Sequence, residues 1–304
     1  MKDPLDISHE ISCALNRGQA VVALESSVLA HGLPSPVNIE TALAMEQNVQ
    51  EAGAVPATIG VIDGKIRVGL SHEEIEILGK GGTAKLAARD LPDACATEIN
   101  GGTTVSATAR IAAAVGINVM ATGGIGGVHR GNANDISADL WEMTRTPIAI
   151  VCSGPKAVLD VPATAEWLES HSVPVYGFKT TILPAFYAAQ TDITIPGYDT
   201  IDKLADTIKL GFGAMGVRSS IMVAVPGPEA FDVSREVEEA IKQAEQNQIR
   251  GKQLTPWLLD KIAELTNGRS IESNVALLKN NAQIAAELAC ALVNEERRRM
   301  GFYA

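Results

Sequence analysis

Short apolar runs alternate along the whole chain with segments in which apolar residues recur every three or four positions. The first pattern is typical of buried strands and the second of amphipathic helices. Strands are predicted over Val21–Leu24, Ala57–Ile62, Ile66–Leu70, Ile117–Met120, Ile148–Val151, Val173–Phe178 and Ile221–Val225. Helices are predicted over Asn38–Glu51, Thr103–Val115, Ile201–Leu210, Val233–Gln246, Pro256–Leu265 and Ile271–Arg299, with a short one after the capping box at Ser71.

The order of these elements predicts an α/β fold. Alternation of strands and helices favours a mainly parallel sheet with helices on both faces, which is a three-layer α/β/α arrangement. Asp63-Gly64 separates two apolar runs and is a strong hairpin signal, so a small antiparallel hairpin is expected as well. Because no repeat, low-complexity tract or Pro/Ser-rich linker interrupts the pattern, we expect one domain over residues 1–304.

Composition narrows the classes of function. The 304 residues carry a net charge of −11, which argues against nucleic-acid binding because proteins of that class present basic patches. No apolar run approaches the roughly 18 residues of a membrane span. The starting segment MKDPLDISHE lacks the apolar core of a signal peptide. The four cysteines show no paired spacing, so we expect a reducing compartment and a cytoplasmic protein.

The segment Ala121–Leu140 (ATGGIGGVHRGNANDISADL) contains the densest group of candidate residues. Its glycines follow a predicted strand, and such a loop lets a small ligand approach the backbone closely; a mobile surface loop is the alternative. The same segment supplies His129 as a possible metal ligand and Arg130 as an anion-binding fork. Asp135 and Asp139 are predicted to share a helix face. One of them is expected to hold a divalent metal with waters in the rest of its shell, with helix capping by the pair as the alternative.

Lys156 and Glu25 are candidates for acid, base or nucleophile. Pro155 fits the first position of a helix, which would place Lys156 in a first turn where the helix dipole disfavours an ammonium. A lysine so placed at the crevice of an open sheet can attack a carbonyl carbon, unless it is an ordinary solvated side chain. Glu25 closes the strand VVALE and suits a general acid or base, or a turn cap.

Two further segments contain groups suited to a phosphate. Gly101–Val105 opens a predicted helix, and its free backbone N–H groups make a natural anion site. Lys85 follows a Gly-Gly-Thr-Ala stretch and is a second candidate, with a surface lysine as an equal alternative. The GxGxxG pattern at Gly211–Gly216 is not a dinucleotide fingerprint, because a helix precedes it and a strand follows it.

Several long motifs occur in a fixed order: ALESSV, AVPATIGVIDGKIRVGLS, KLAARDLP, GGTTVSAT, ATGGIGGVHRG, DISADL, CSGPKAVLD, GKQLTPWLL and SNVALLKNNA. From about Leu15 to Glu295 the chain resembles the pseudouridine-5′-phosphate glycosidase family, which is also called indigoidine synthase A-like. The resemblance implies an α/β/α fold, a homotrimer and a divalent metal, usually Mn²⁺.

The resemblance also implies roles for individual residues. Lys156 matches the family's Schiff-base lysine, Glu25 its proton donor and Asp135 its metal ligand. The substrate-binding residues expected with them are Lys85, Thr104, Val105, His129, Arg130, Ser137, Ala138, Asp139 and Asn281.

The implied reaction is reversible cleavage of the C–C bond between ribose 5-phosphate and uracil. A carbon-bound base has no heteroatom leaving group to protonate, so hydrolysis by paired carboxylates does not suit it. An imine between a lysine and the opened sugar provides an electron sink instead. Two alternatives stay open: a C-glycosynthase that joins ribose 5-phosphate to an aromatic acceptor, and a non-catalytic phosphosugar-binding protein.

Three places depart from the family pattern. Val225-Pro-Gly-Pro stands where Asn-Pro-Ile-Pro is usual, Lys179 replaces a common Gln, and the loop between His129 and Asp135 is shorter than usual. Val225 offers no hydrogen-bonding side chain. We therefore expect an altered pocket for the aglycone, which favours the C-glycosynthase alternative.

Overall fold

The computed structural model describes residues 4–186, 191–228, 233–247, 249 and 254–301. Its strands are β1 (Leu5–Ile7), β2 (Val21–Glu25), β3 (Val55–Ile62), β4 (Lys65–Val68), β5 (Ala84–Leu86), β6 (Gly101–Thr103), β7 (Val119–Ala121), β8 (Ala149–Cys152), β9 (Val175–Phe178), β10 (Gly197–Tyr198) and β11 (Ile221–Ala224). Its α-helices are α1 (His9–Asn16), α2 (Ser27–His31), α3 (Val37–Glu51), α4 (His72–Gly79), α5 (Leu91–Ala96), α6 (Val105–Ala114), α7 (Ala138–Met143), α8 (Val161–Ser170), α9 (Ile201–Phe212), α10 (Ser234–Gln246), α11 (Leu254–Leu265) and α12 (Arg269–Gly301).

The described strands form one sheet in the order β1-β4-β3-β2-β7-β8-β11-β9-β10, with β6 beside β3 and β5 beside β6. β3 is antiparallel to β4 and to β6, and the other pairs are parallel. The β3–β4 pair is the predicted hairpin, and Asp63 and Gly64 both take the positive φ that its tight turn requires. The predicted mainly parallel α/β fold is confirmed.

Helices cover both faces of the sheet because successive strand residues point to opposite sides. In β2, Val22 and Leu24 pack into the layer formed by α3, α9, α10, α11 and α12. Val21 and Ala23 pack into the opposite layer, formed by α1, α5, α6, α7 and α8. The three-layer α/β/α arrangement therefore follows from strands that are apolar on both faces.

Several element boundaries differ from the sequence prediction. The helix expected from Thr103 begins at Val105, because Gly101–Thr103 pairs with β3 and β5 as a strand. The short elements β1, β5, β6 and β10 were not predicted, since two or three residues are too few to show a period. The motif GKQLTPWLL begins at residues 251–253, which lie outside the described residues.

The carboxyl ends of the central parallel strands meet at one edge of the sheet. Glu25 ends β2, the glycine-rich segment follows β7, and Ser153–Asp160 follows β8. Ligand sites in open α/β sheets lie in the crevice at this edge. No helix among the described residues is long and apolar enough to span a membrane.

Candidate active site

A cavity of about 280 Å³ opens at the carboxyl edge of the sheet. Ten of the twelve predicted site residues line it, and the two exceptions are Arg130 and Asn281. Charged side chains dominate its wall. The cations are Lys85, Arg89 and Lys156, and the carboxylates are Glu25, Asp90, Asp135 and Asp139.

A second, narrower cavity of about 40 Å³ shares part of this wall. Glu25, Ser27, Lys85 and Lys156 line both cavities. The remaining wall of the second cavity is largely apolar or uncharged, and it includes Val28, His31, Gly123, Phe186, Leu259 and Asn274. The predicted acid–base residue and the predicted nucleophile therefore lie where a charged cavity meets a more apolar one.

Glu25 is held at the end of β2 by two hydroxyl groups. The side chain is 6% exposed. Ser27 Oγ donates to Glu25 Oε2 at 2.5 Å, and Thr122 Oγ1 donates to Oε1. Ser27 begins α2 and Thr122 directly follows β7, so two elements fix the carboxyl group in one orientation.

Lys156 lies in an extended connection, and the prediction that it begins a helix is wrong. Pro155 forms a bridge with Ile125, and the Lys156 N–H donates to the Ile125 carbonyl at 3.1 Å. Because these contacts tie the connection to the glycine-rich segment, the next helix, α8, begins only at Val161. The helix-dipole argument for Lys156 fails with it. The half-buried side chain nevertheless lies beyond the end of β8 and lines both cavities.

The glycine-rich segment Gly123–Val128 is buried and is not a mobile surface loop. Gly126 shows why glycine is required there. Its N–H donates to Asp139 Oδ2 at 2.9 Å, and a Cβ at this position would lie 2.1 Å from Ser137 Oγ. The backbone approaches the start of α7 too closely for any side chain.

Asp135 and Asp139 do not share a helix face, contrary to the prediction. Asp139 lies in the first turn of α7 and is buried, and its other oxygen, Oδ1, accepts from the Ser106 N–H at 3.0 Å. Asp135 is exposed and lies in the loop before α7, where its carbonyl accepts from the His129 N–H at 2.9 Å. Among the described residues, no three His, Cys, Asp or Glu side chains form a metal-binding group.

The candidate phosphate groups are brought together by β5, β6 and α6. Lys85 is half-buried on β5, Thr104 is the N-cap of α6, and Val105 is its first residue. Asp139 already accepts from the Ser106 N–H, so a carboxylate occupies part of this helix start. Arg89, which was not predicted, also lines the cavity, and its Nε lies 3.7 Å from Asp90 Oδ1.

Arg130 and Asn281 hold the backbone around the cavity and do not line it. The Arg130 guanidinium donates to the carbonyls of Leu159 and Ala157, at 3.0 and 3.1 Å. Asn281 is fully buried, and its Nδ2 donates to the Thr122 carbonyl at 2.9 Å and to Ser153 Oγ at 3.1 Å. Both residues thus hydrogen-bond the chain around the cavity, and their contact with a substrate stays a prediction.

The structure also contradicts the argument for an altered aglycone pocket. Val225 is 3% exposed and packs in the core, and its N–H donates to the Cys152 carbonyl at 2.9 Å. Neither Val225 nor Lys179 lines either cavity. The loop between His129 and Asp135 borders the first, charged cavity. Loss of an amide at Val225 therefore does not act on the second cavity.

A family model for indigoidine synthase A like protein matches residues 10–291. The chain belongs to the indigoidine synthase A-like family. The pseudouridine-5′-phosphate glycosidase of Caldanaerobacter subterraneus subsp. tengcongensis is 47% identical over 298 residues, covering 95% of this chain and 96% of that relative. Pseudouridine-5′-phosphate glycosidase 2 of Photorhabdus laumondii subsp. laumondii is 45% identical over 296 residues, covering 94% and 95%.

Two solved structures of similar fold cover nearly the whole chain. An indigoidine synthase A-like protein from Thermotoga maritima superposes with a TM-score of 0.88 and 36% identity, covering 95% of this chain and 96% of that one. The prealnumycin C-glycosynthase AlnA in complex with ribulose 5-phosphate superposes with a TM-score of 0.89 and 36% identity, covering 97% and 99%.

In this indigoidine synthase A-like protein, the sequence did not predict most residues that line only the second cavity. His31 comes from α2, Leu259 from α11 and Asn274 from α12, which are far apart in the sequence. For Asn274 in α12, the sequence did contain a signal. Asn274 and Asn281 recur on the α12 face that buries Leu277 and Leu278, and amides on an apolar helix face need buried partners.

Proposed function

We propose that this protein cleaves pseudouridine 5′-phosphate reversibly into uracil and ribose 5-phosphate. The observation that carries the proposal is that Lys156 and Glu25 line both cavities, one charged and one more apolar. A phosphosugar fits the first environment and a base fits the second. The names of the relatives that are 43–47% identical support the same substrate.

In the proposed reaction, Lys156 is the nucleophile. Its Nζ bonds to C1′ of the ribose as the C1′–O4′ bond opens and O4′ takes a proton. The nitrogen lone pair then forms an imine while the bond between C1′ and the base carbon breaks. Water hydrolyses the imine, which frees Lys156 and releases ribose 5-phosphate.

Glu25 is the proposed acid that delivers a proton to the base carbon as the C–C bond breaks. A positioned acid or base contributes roughly 10²–10⁴-fold to a rate. Ser27 and Thr122 hold both carboxyl oxygens of Glu25, so the proton has a fixed direction of delivery. In the reverse reaction, the same carboxylate removes that proton.

The proposed phosphate site consists of Lys85, Thr104 and Val105 at the start of α6, with Ser137 and Ala138 at the start of α7. Arg89 adds a third cation to the same wall. Charge-assisted hydrogen bonds from such groups suit a sugar 5-phosphate. His129 borders this part of the cavity and is the remaining proposed substrate contact.

A divalent metal, which we take to be Mn²⁺, is proposed to bind Asp135. The first cavity contains four carboxylates against three Lys and Arg cations, so an anionic phosphosugar needs added positive charge. One exposed carboxylate that borders the cavity fits a cation that keeps most of its waters. The bound metal would supply positive charge beside the phosphosugar. Activity should fall with EDTA and return with Mn²⁺, and an Asp135→Asn protein that keeps this response would refute the assignment.

The direct test is incubation of the protein with ribose 5-phosphate, uracil and Mn²⁺, followed by mass spectrometry. The expected product is pseudouridine 5′-phosphate, and the same protein should release uracil from it. Borohydride added with ribose 5-phosphate alone should label Lys156. Absence of both the product and the label would reject the proposed function.

Two alternatives remain beside this proposal. The likeness to AlnA at 36% identity supports a C-glycosynthase, but the argument from Val225 does not, because Val225 lies in the core. A larger aromatic acceptor should therefore react more slowly than uracil. A non-catalytic phosphosugar-binding protein would have no need for Glu25 and Lys156 beside the same two cavities.

Two properties of the assembly and its compartment are proposed with the function. A homotrimer agrees with the surface cluster of Trp141, Trp167 and His171, in which Trp141 is 49% exposed. Light scattering should give three times the 31.9 kDa chain mass.

The four cysteines are free thiols, which agrees with a reducing cytoplasm.

A further inference from the structure

A partly buried histidine with no role in the proposed reaction lies in the wall of the second cavity. His31 is the last residue of α2, and it follows Ser27 by one helical turn, so both side chains lie on the same face. Both line the cavity together with Glu25 and Lys156. The Nε2 atom of His31 is buried, and it has no hydrogen-bond partner among the described residues.

The other ring nitrogen decides what Nε2 can do. The main chain of Ala84 hydrogen-bonds the His31 ring, and because Nε2 has no partner, this bond uses Nδ1. The Ala84 N–H already donates to the Asn100 carbonyl at 2.9 Å. The Ala84 carbonyl is therefore the group that meets the ring, and since a carbonyl only accepts, Nδ1 carries the hydrogen. Burial lowers the pKa of His31 from its ordinary 6.5, against the Ala84 hydrogen bond that raises it, and the charge of Lys85 lowers it further. The ring is therefore neutral at pH 7, and Nε2 is an acceptor.

The surroundings of this acceptor suit the edge of a flat ring. Asn274 Oδ1, in the same wall, is also buried without a partner among the described residues. Val28, Phe186 and Leu259 supply apolar surface beside them. Buried acceptors in native proteins are normally paired, and leaving one unpaired is costly. An apolar wall with a few polar groups is the usual form of a site for a small ring-shaped ligand.

We propose that His31 Nε2 accepts a hydrogen bond from an N–H group of the aglycone and selects bases that carry one there. The proposal rests on the proposed function, because it assigns the second cavity to the base. His31 acts on the base alone, since the sugar and phosphate groups belong to the first cavity. A base without that N–H is rejected because it leaves the buried acceptor unpaired.

The test compares uracil, 1-methyluracil and 3-methyluracil as acceptors for ribose 5-phosphate. In the wild-type protein, methylation of the N–H that meets His31 should lower kcat/KM by about tenfold or more. His31→Phe should lower kcat/KM for uracil by a similar factor, mainly through KM. It should cause no further loss with the methylated base that the wild type already rejects. His31→Gln, which offers a carbonyl oxygen, should restore part of the preference.

Three results would overturn the proposal. One is a wild-type protein that uses all three bases equally, and another is an equal loss with all three bases in His31→Phe. The third is loss of borohydride trapping with ribose 5-phosphate in both His31 variants, which would place His31 on the sugar side. Trapping contains no base, so a wild-type protein that fails to trap refutes the proposed function instead. The matched control, His72→Phe on the exposed face of α4, should change none of these values.

Discussion

The first cavity is lined by residues at strand ends, in loops and at helix starts within residues 25–159, whereas the second is completed by helix faces. Lys85, Thr104, Asp135 and Ser137 stand next to a strand or a helix start. The wall formed by Leu259 and Asn274 comes from α11 and α12, more than a hundred residues further along the chain. The sugar-phosphate side is therefore encoded locally, whereas the base side depends on packing of the complete fold.

Glu25, Ser27, Lys85 and Lys156 line both cavities, and Glu25 and Lys156 are the two of them proposed to act at the bond that breaks. Changes at these two residues should therefore damage every substrate. Changes confined to one cavity should affect only the sugar phosphate or only the base.

Lys156→Ala should cause the largest loss of activity, because it removes the proposed nucleophile. Among the described residues, Lys85 is the other amine that lines both cavities. Removing a covalent nucleophile should lower kcat by roughly 10³-fold or more. Lys156→Arg should not restore activity, since a guanidinium remains charged and cannot form the imine. Steady-state kinetics and mass spectrometry of the borohydride-treated protein measure both effects. Full turnover by Lys156→Ala would remove Lys156 from the mechanism.

Glu25→Gln should lower kcat for cleavage of pseudouridine 5′-phosphate by about 10²–10⁴-fold, since an amide cannot deliver the proton. The amide oxygen can still accept one of the two hydroxyl hydrogen bonds, from Ser27 or Thr122. Trapping of ribose 5-phosphate on Lys156 should therefore persist. Equal loss of trapping and of cleavage would show that Glu25 is needed for imine formation and would contradict a role limited to the base.

Lys85→Ala should weaken binding of phosphorylated substrates by about 1.5–3 kcal/mol, the usual loss for one charge-assisted hydrogen bond. Any weak activity on unphosphorylated pseudouridine should change little, because the lost contact is to the phosphate. Lys80→Ala, an exposed position near the same strand, is the matched control. KM measured with both substrates decides between the outcomes, and parallel losses on the two would contradict a phosphate role.

The sequence predicted the parts of this site that depend on strand order, and it missed the parts that depend on tertiary contacts. Glu25 was assigned correctly to the cavity because parallel strand ends converge. Lys85 was assigned to it from its glycine-rich stretch and its family motif, although β5 was not predicted. Lys156 was assigned to the cavity, but its helix was wrong because the bridge between Pro155 and Ile125 overrides the local helix signal. His31 was missed, since its unpaired nitrogen becomes evident only beside α11 and α12.

Arg130 and Asn281, which were predicted to contact substrate, also show that tertiary contacts are hard to predict from sequence. A motif shows that a polar residue lies near a site, but it does not show where its hydrogen bonds go. Here they go to the main-chain carbonyls of Ala157 and Leu159, which follow Lys156, and of Thr122, which follows β7. Asn281 additionally needs α12 to pack against the exits of β7 and β8, a contact between distant segments.

Substitutions of Asp135 and Asp139 should have the smallest effects. They test whether the first cavity contains one carboxylate that holds the backbone and another that faces the ligand. Asp139→Asn replaces an oxygen that accepts from Ser106 or Gly126 by an NH₂ group that cannot accept. One buried backbone donor is left unpaired, so the free energy of unfolding should fall by about 1–3 kcal/mol. Asp135→Asn, at an exposed loop position, should leave stability unchanged and abolish the response to Mn²⁺. Urea denaturation and metal titration of the two variants separate a carboxylate that holds the backbone from one that faces the ligand. If both variants lost the same stability, the two carboxylates would share one structural role, and the cavity would lose its proposed metal ligand.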